Sequence, residues 1–316
     1  MIRSRRPLAG LALLALACGR GAPSDRPQVG VTLLTEAHVF YQDLKRGMQA
    51  AADSLGIDLH VVAGEWDLAR QTAQVQGFIT RKMDAVVIAP VNSSGIGSAV
   101  EEAREAGIPV FTADIAADAG GVVSHIASDN RQGGRLLGEY LARRLNGKGA
   151  VAILDQPTVT SVQDRVAGFR EAVAAFPGIE IVAAPAVERG LRDVAKQKTD
   201  NLLAGGRKLD AIFGSNDDCA LGALAAVQAA GRTDILIVGY DATPEARTAI
   251  GGSTPLVADA VQHPEVIGRR TIEAVAAHLR GETVAPRIAV PVSIVTKDSL
   301  AGPHPLSPSP SGRRGT

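Results

Sequence analysis

FGSNDDCALGAL, residues 213–224, passes from one kind of structure to another with no turn sequence between them. The apolar run from Leu209 to Gly214 stops at Ser215-Asn216-Asp217-Asp218, and an alanine- and leucine-rich segment follows at once. A short apolar run ahead of a helix-period segment is the pattern of a strand buried on both faces that feeds a crossover helix. Asp217 and Asp218 suit the first turn of that helix, where a carboxylate accepts from free backbone N–H groups and meets the positive end of the dipole. Asn216 stands where the strand leaves its sheet, and capping does not account for it. The expectation is a division of labour: Asp217 caps, and Asn216 faces a ligand, so that Asn216→Ala leaves the fold intact.

Working outward, the same alternation fills the chain. Strand-like runs at Val29–Leu34, Leu59–Val62, Ala85–Ala89 and Val110–Ala113 enclose helical periods at Phe40–Leu55, Gln71–Arg81 and Ser94–Ala106. After Ser128 the order repeats, with strands at Ala150–Leu154, Ile179–Val182, Leu209–Gly214 and Ile235–Val238. The helices between them are Gln163–Phe176, Val194–Leu203 and Ala220–Ala230. Details repeat too. Gly47-Met-Gln-Ala-Ala-Ala parallels Gly168-Phe-Arg-Glu-Ala-Val, Met83-Asp-Ala-Val parallels Leu209-Asp-Ala-Ile, and the fourth strands end at Asp114 and Asp241. Strands and helices of these lengths imply right-handed crossovers and parallel sheets covered on both faces. The fold class is therefore α/β, a pair of similar Rossmann-like lobes. Because open parallel sheets bind ligands outside the carboxyl ends of their strands, Thr35 to Tyr41, Asp114, Asn216 and Asp241 gather at one cleft if the lobes face each other.

The 316 residues hold 33 basic and 33 acidic side chains, so no net field draws the chain to nucleic acid. Apolar residues make up 46%, within the globular range, and aromatic residues only 3%. Cys18 and Cys219 are far apart in different contexts, and no disulfide is expected; Cys219 reads as a small buried thiol. Arg3, Arg5 and Arg6 precede the apolar run Leu8–Ala17, the order of an export signal over residues 1–17. Ala17-Cys18-Gly19 resembles a lipoprotein signal, which makes Cys18 a lipidation site and residues 18–27 a tether, with ordinary signal cleavage and secretion as the alternative. Residues 301–316 lack apolar periodicity and read as a disordered tail.

The residues at the strand ends, with Val122-Val-Ser-His-Ile-Ala-Ser-Asp-Asn130 and Ile237-Val-Gly-Tyr-Asp-Ala-Thr-Pro244, resemble the ribose-binding proteins of bacterial ABC importers from about Val29 to Asp298. The resemblance implies the type I periplasmic binding protein fold, with two lobes joined by a three-crossing hinge and a sugar clamped between them. It places residues 28–128 with 263–291 in the first lobe and 129–262 with 292–300 in the second. The hinge lies near Ser128–Asn130, Gln262 and Pro291. It also implies a pocket of Phe40 and Tyr41, Asp114, Arg165, Asn216, Asp241 and Gln262, with His38 where ribose binders have an asparagine. Carboxylates and amides suit vicinal hydroxyls, and aromatic faces cover the C–H surface of a sugar ring. Ile115 stands where those proteins have an arginine, and a later pocket aromatic aligns with Gly190, so ribose itself is disfavoured. Trp66 is left outside the site.

The function so implied is capture of a monosaccharide or sugar-like polyol and delivery to an ABC permease, by an exported, membrane-anchored monomer with no cofactor or metal. Sensing through a chemoreceptor or sensor kinase is the alternative. Repressors of the lac type share the core, but an export signal stands where they carry a helix-turn-helix. No activated nucleophile or paired-carboxylate spacing points to an enzyme.

Overall fold

Each half of the repeated pattern builds its own six-stranded sheet. The computed structural model describes residues 26–118 and 120–301. The first half runs β1 (Gln28–Leu33), α1 (Val39–Leu55), β2 (Asp58–Ala63), α2 (Leu68–Thr80), β3 (Ala85–Ile88), α3 (Gly97–Glu105), β4 (Val110–Ala113) and β5 (Ser124–Ser128). The second runs α4 (Asn130–Arg144), β6 (Lys148–Leu154), α5 (Thr160–Ala174), β7 (Gly178–Ala183), α6 (Arg192–Ala204), β8 (Ala211–Gly214), α7 (Asp217–Ala229), β9 (Leu236–Asp241), α8 (Pro244–Gly251) and β10 (Leu256–Val261). The chain then returns through α9 (Pro264–Leu279) and β11 (Arg287–Val290) before β12 (Ser293–Thr296). The sheet orders, β11-β5-β4-β3-β1-β2 and β12-β10-β9-β8-β6-β7, correspond strand for strand.

Every residue of β3 and of β8 is buried, because helices cover both faces of a parallel sheet. The repeated glycines mark where helices touch. A Cβ on Gly47 of α1 would run into the Glu265 carbonyl of α9, and one on Gly168 of α5 into the Arg131 carbonyl of α4. The duplicated Gly47 and Gly168 are thus the contact points of equivalent helix pairs, which is why the two halves agree there.

The chain crosses between sheets at residues 128–130, 261–264 and 290–293. α4 packs on α5 and β10, α9 packs on α1, β4 and β5, and β11 and β12 belong to different sheets. One feature departs from the expected all-parallel sheets: β12 runs antiparallel to β10. A parallel partner needs a crossover of about a dozen residues. Here only residues 291 and 292 separate β11 from β12, so the chain enters the second sheet from its carboxyl end. Among the described residues no helix is long and apolar enough to cross a membrane. Cys18, the export signal and the tail beyond 301 lie outside the described residues.

Candidate ligand cavity between the lobes

The carboxyl ends of the two sheets face each other across a cavity of about 160 Å3. His38, Phe40, Tyr41, Asp114, Arg165, Asn216, Asp241 and Gln262 all line it. An apolar cavity of about 150 Å3 takes up a single six-membered ring, and this one is of that size class with polar walls.

The first lobe supplies rings and one carboxylate. Asp114, 4% exposed, follows β4 with φ 65. Its Oδ2 accepts the Tyr41 hydroxyl at 2.7 Å, while Oδ1 is buried without a partner. Burial pushes this carboxyl up to about 6, against the pull of Arg165 and the Tyr41 hydroxyl. Burial also raises Tyr41 well above its ordinary value, so its hydroxyl remains a donor. Phe40 packs edge-on against Tyr41, with ring centroids 5.3 Å apart. His38 caps α1, its Nδ1 accepting from Phe40 N at 3.2 Å, which leaves the proton on Nε2. That nitrogen faces the second lobe, 3.9 Å from both Asp218 and Asp241.

The second lobe supplies a bonded network. Arg165, 5% exposed, donates from Nε to Asn130 Oδ1 and from Nη1 to Ser215 O, each at 2.9 Å. Its guanidinium lies 3.9 Å above the Tyr240 ring, and Nη1 is 3.7 Å from Asp241 Oδ1. Two hydrogen bonds and a ring face hold this cation in place without a ligand. Gln262 donates to Asp241 Oδ1 at 2.6 Å and accepts from Ser128 Oγ at 2.7 Å, tying two of the crossings to the site.

The capping role expected of Asp217 belongs to Asn216, which also lines the cavity as expected. Asn216, with φ −147 and ψ 174, is itself the N-cap of α7: Oδ1 accepts from Cys219 N at 2.7 Å, and Nδ2 donates to Gly190 O at 3.2 Å. Only a residue still in extended conformation can turn its side chain back over the first N–H groups, and Asp217 is already helical. Asp217 is 2% exposed and accepts from Thr243 N at 2.6 Å, away from the helix end. Asn216 therefore holds the helix as well as facing the cavity. Asp218 pairs with Arg192 at 3.0 Å. Cys219 is buried, its thiol pushed up to about 12 by that burial.

Trp66, set aside from sequence, also lines the cavity, as do Ile115, Gln156, Ser161 and Arg189. Glu65 and Trp66 both have positive φ, 53 and 63. Glu65 is anchored by Thr35 Oγ1 at 2.7 Å and Glu36 N at 3.0 Å, so this turn brings Trp66 to the cavity wall. Gly190 has φ +62, and a Cβ there would meet Asn216 Nδ2 at 2.6 Å and Gln156 Oε1 at 2.8 Å. A side chain at that position would be strained by the backbone and would displace the Asn216 amide and Gln156. Among wall residues other than glycine, Trp66, Asp114, Arg189 and Asp241 all carry positive φ, a concentration of backbone strain of the kind that accompanies binding sites. At the rim Thr160 N donates to Ser93 Oγ at 3.1 Å and Ala116 N to Thr160 Oγ1 at 2.9 Å, so the lobes touch beside the cavity. Among the described residues no group of three or more histidine, cysteine, aspartate or glutamate side chains is placed to hold a metal.

Residues 29–283 match the family model described as periplasmic binding protein domain. The chain belongs to that family. Over 271 residues it is 36% identical to the ribose import binding protein of Escherichia coli, which covers 85% of this chain and 90% of that protein. The xylitol-binding protein of Mycolicibacterium smegmatis is 30% identical over 296 residues, 92% of this chain and 83% of the relative. An ABC transporter solute-binding protein of Bacillus halodurans, solved with bound myo-inositol, is similar at a TM-score of 0.82 and 26% identity, covering 89% of this chain and 98% of that one. The architecture is that of type I periplasmic binding proteins. Within this periplasmic binding protein, Ile115 follows Asp114 as a buried apolar wall residue.

Proposed function

We propose that the protein is an extracytoplasmic solute-binding protein, not an enzyme, that captures one monosaccharide or sugar-like polyol in the interlobe cavity and delivers it to an ABC permease. One observation supports this most: a buried and a partly buried aspartate from equivalent strand ends, Asp114 and Asp241, face one small cavity, and Asp114 Oδ1 has no partner. A ligand hydroxyl supplies the missing donor. Phe40, Tyr41 and Trp66 cover the ring faces, and Arg165, Asn216, Gln262 and His38 bond the remaining hydroxyls. Trp66 supplies an aromatic face where Gly190 supplies none. With Ile115 beside Asp114, ribose binds more weakly than a hexose, a 6-deoxy sugar or a polyol.

In this reading residues 28–128 with 263–291 and residues 129–262 with 292–300 move as two lobes. Water satisfies their polar groups when they part, and the ligand does so when they close, so its differential contacts stabilise the closed form that the permease reads. Cys18 is the lipid-bearing residue that keeps the monomer at the membrane. Thermal-shift screening against pentoses, hexoses, deoxy sugars, xylitol and myo-inositol tests the proposal. A true ligand at a hundredfold excess over its dissociation constant stabilises by about 2.7 kcal/mol. A panel with no shift, or with ribose giving the largest, contradicts the reading.

A further inference from the structure

Beneath Asp241 lies a pair of carboxyl groups that the cavity does not use. Asp259, on β10, is fully buried, and Asp217, in the first turn of α7, is 2% exposed. Each gives one oxygen to the turn that carries Asp241: Asp259 Oδ1 accepts from Ala242 N at 3.0 Å, and Asp217 Oδ2 accepts from Thr243 N at 2.6 Å. Their other oxygens, Asp217 Oδ1 and Asp259 Oδ2, are buried without a donor, although the two carboxyls lie within hydrogen-bonding reach of each other. Two carboxylates cannot bond without something positive between them. Among the described residues no cation bonds the pair: Arg247 Nε donates to Ala242 O at 2.8 Å, and Arg192 is taken by Asp218 and Glu245. A proton remains. Gly239 leaves the space for it, because a Cβ there would run into Asp259 Oδ2.

The turn needs such support. Asp241 and Ala242 have φ 122 and 54, two consecutive non-glycine residues in conformations that L side chains rarely adopt. Burial raises both carboxyls, Asp217 to about 6 and Asp259 well above its ordinary value, with the charge of Asp217 adding to the latter. Of the two, Asp259 is the more deeply buried and the one raised further by its neighbour's charge, so it is the donor of the proton and Asp217 the acceptor. The other groups that face the pair are Asp241 of β9 and, across the turn, Arg247 of α8. From α4 the Tyr140 hydroxyl donates to Val257 O of β10, and β12 sets apolar Val295 opposite Asp259.

We propose that Asp217 and Asp259, joined by one shared proton, are the positioning residues that hold Asp241 toward the ligand. They touch no ligand themselves, and the effect on affinity rests on the sugar-binding reading given above. The sign follows from the charge. Between about 6, where Asp217 ionises, and the point at which Asp259 ionises, the pair carries a single negative charge and the clamp is intact. As pH rises through that point a second charge appears under Asp241, the turn loosens, and affinity falls on the alkaline side.

The test compares wild type with Asp259→Asn, whose amide N–H replaces the shared proton, and Asp259→Leu, which removes it. Hydrogen exchange at the Ala242 and Thr243 amides and carboxyl carbon NMR of labelled aspartate need no ligand. Calorimetric titration with D-allose, xylitol and myo-inositol over a pH series supplies the functional readout. The expected result is one aspartate signal that stays protonated through neutral pH, with both amides protected in wild type and Asp259→Asn. In Asp259→Leu those amides exchange at least tenfold faster, and an alkaline loss of affinity seen in wild type vanishes in Asp259→Asn. Two carboxyls that titrate as ordinary exposed aspartates, or Asp259→Leu with wild-type protection, overturns the proposal. Protected amides with no sugar bound by wild type would sink the sugar-binding reading and leave the clamp standing.

Discussion

Asp114 and Asp241 end equivalent strands in the two lobes, yet they are held by opposite means. At Asp114 the backbone closes the turn, with Asp114 N donating to Ile126 O at 2.9 Å and Ile115 N to Ala113 O at 2.7 Å. Its side chain has one partner, Tyr41, and one empty oxygen. At Asp241 the turn is closed by side chains from outside it, and the carboxylate already receives Gln262 and faces Arg165 and His38. The second lobe is thus a pre-organised polar half that loses little order when a ligand arrives. The first is an aromatic half with one unsatisfied acceptor, the place proposed for a ligand hydroxyl.

If that contrast is right, the largest effect belongs to the network. Asp241→Ala removes a charged acceptor and strands the Gln262 amide. A loss of about 3 kcal/mol, or about a hundredfold in Kd by calorimetry, is expected. Asn216→Ala comes next and should fail twice. Losing the cap lowers stability by about 1 kcal/mol in denaturant melts, and losing the amide weakens binding about tenfold. Normal stability with weak binding would restore the division of roles read from sequence.

The third effect is one of pH and tests the empty oxygen. A ligand hydroxyl favours ionised Asp114, so affinity should fall as pH drops through about 6, about fourfold half a unit below it. In the free protein the sign is opposite. The raised carboxyl contributes stability that is present below its ordinary 3.8 and lost as pH rises through about 6. Asp114→Asn should bind more weakly with a flat acid limb, and an unchanged acid limb would place the titration elsewhere. The smallest expected effect concerns the aromatic half. Trp66→Leu keeps apolar cover but loses the ring, and about 0.5 kcal/mol, or about a twofold change in Kd, is expected. A fiftyfold loss would make Trp66 an anchor and reverse the ranking of the lobes.

The duplicated architecture was legible because parallel strands buried on both faces leave unbroken apolar runs, as at Ala85–Ile88 and Ala211–Gly214, and the strand ends then follow from chain order. Asp114, Asn216 and Asp241 reach the cavity for that reason, whereas Arg165, inside α5, and Gln262, at a crossing, were placed there only by the family resemblance. Trp66 was missed because it reaches the wall on two consecutive positive φ values, which no composition rule foretells for Glu65-Trp66. The cap was assigned to Asp217 instead of Asn216 because it depends on which residue is still extended, a matter of one position at a helix start. Asp259 gave no signal at all. It sits within Leu256–Val261 as a lone acid in an otherwise apolar strand, and only the packing of α7 and the 241–243 turn shows what it does.

The central claim is that one ligand bridges Asp114 of the first lobe and Asp241 of the second. Calorimetric titration of wild type, Asp114→Ala, Asp241→Ala and the double variant, with the best sugar or polyol from the thermal-shift panel, addresses it directly. The account predicts one site in wild type, a large loss in each single variant, and a double variant whose loss falls short of the sum, because closure needs both contacts. One-site binding left unchanged by either single variant would contradict it.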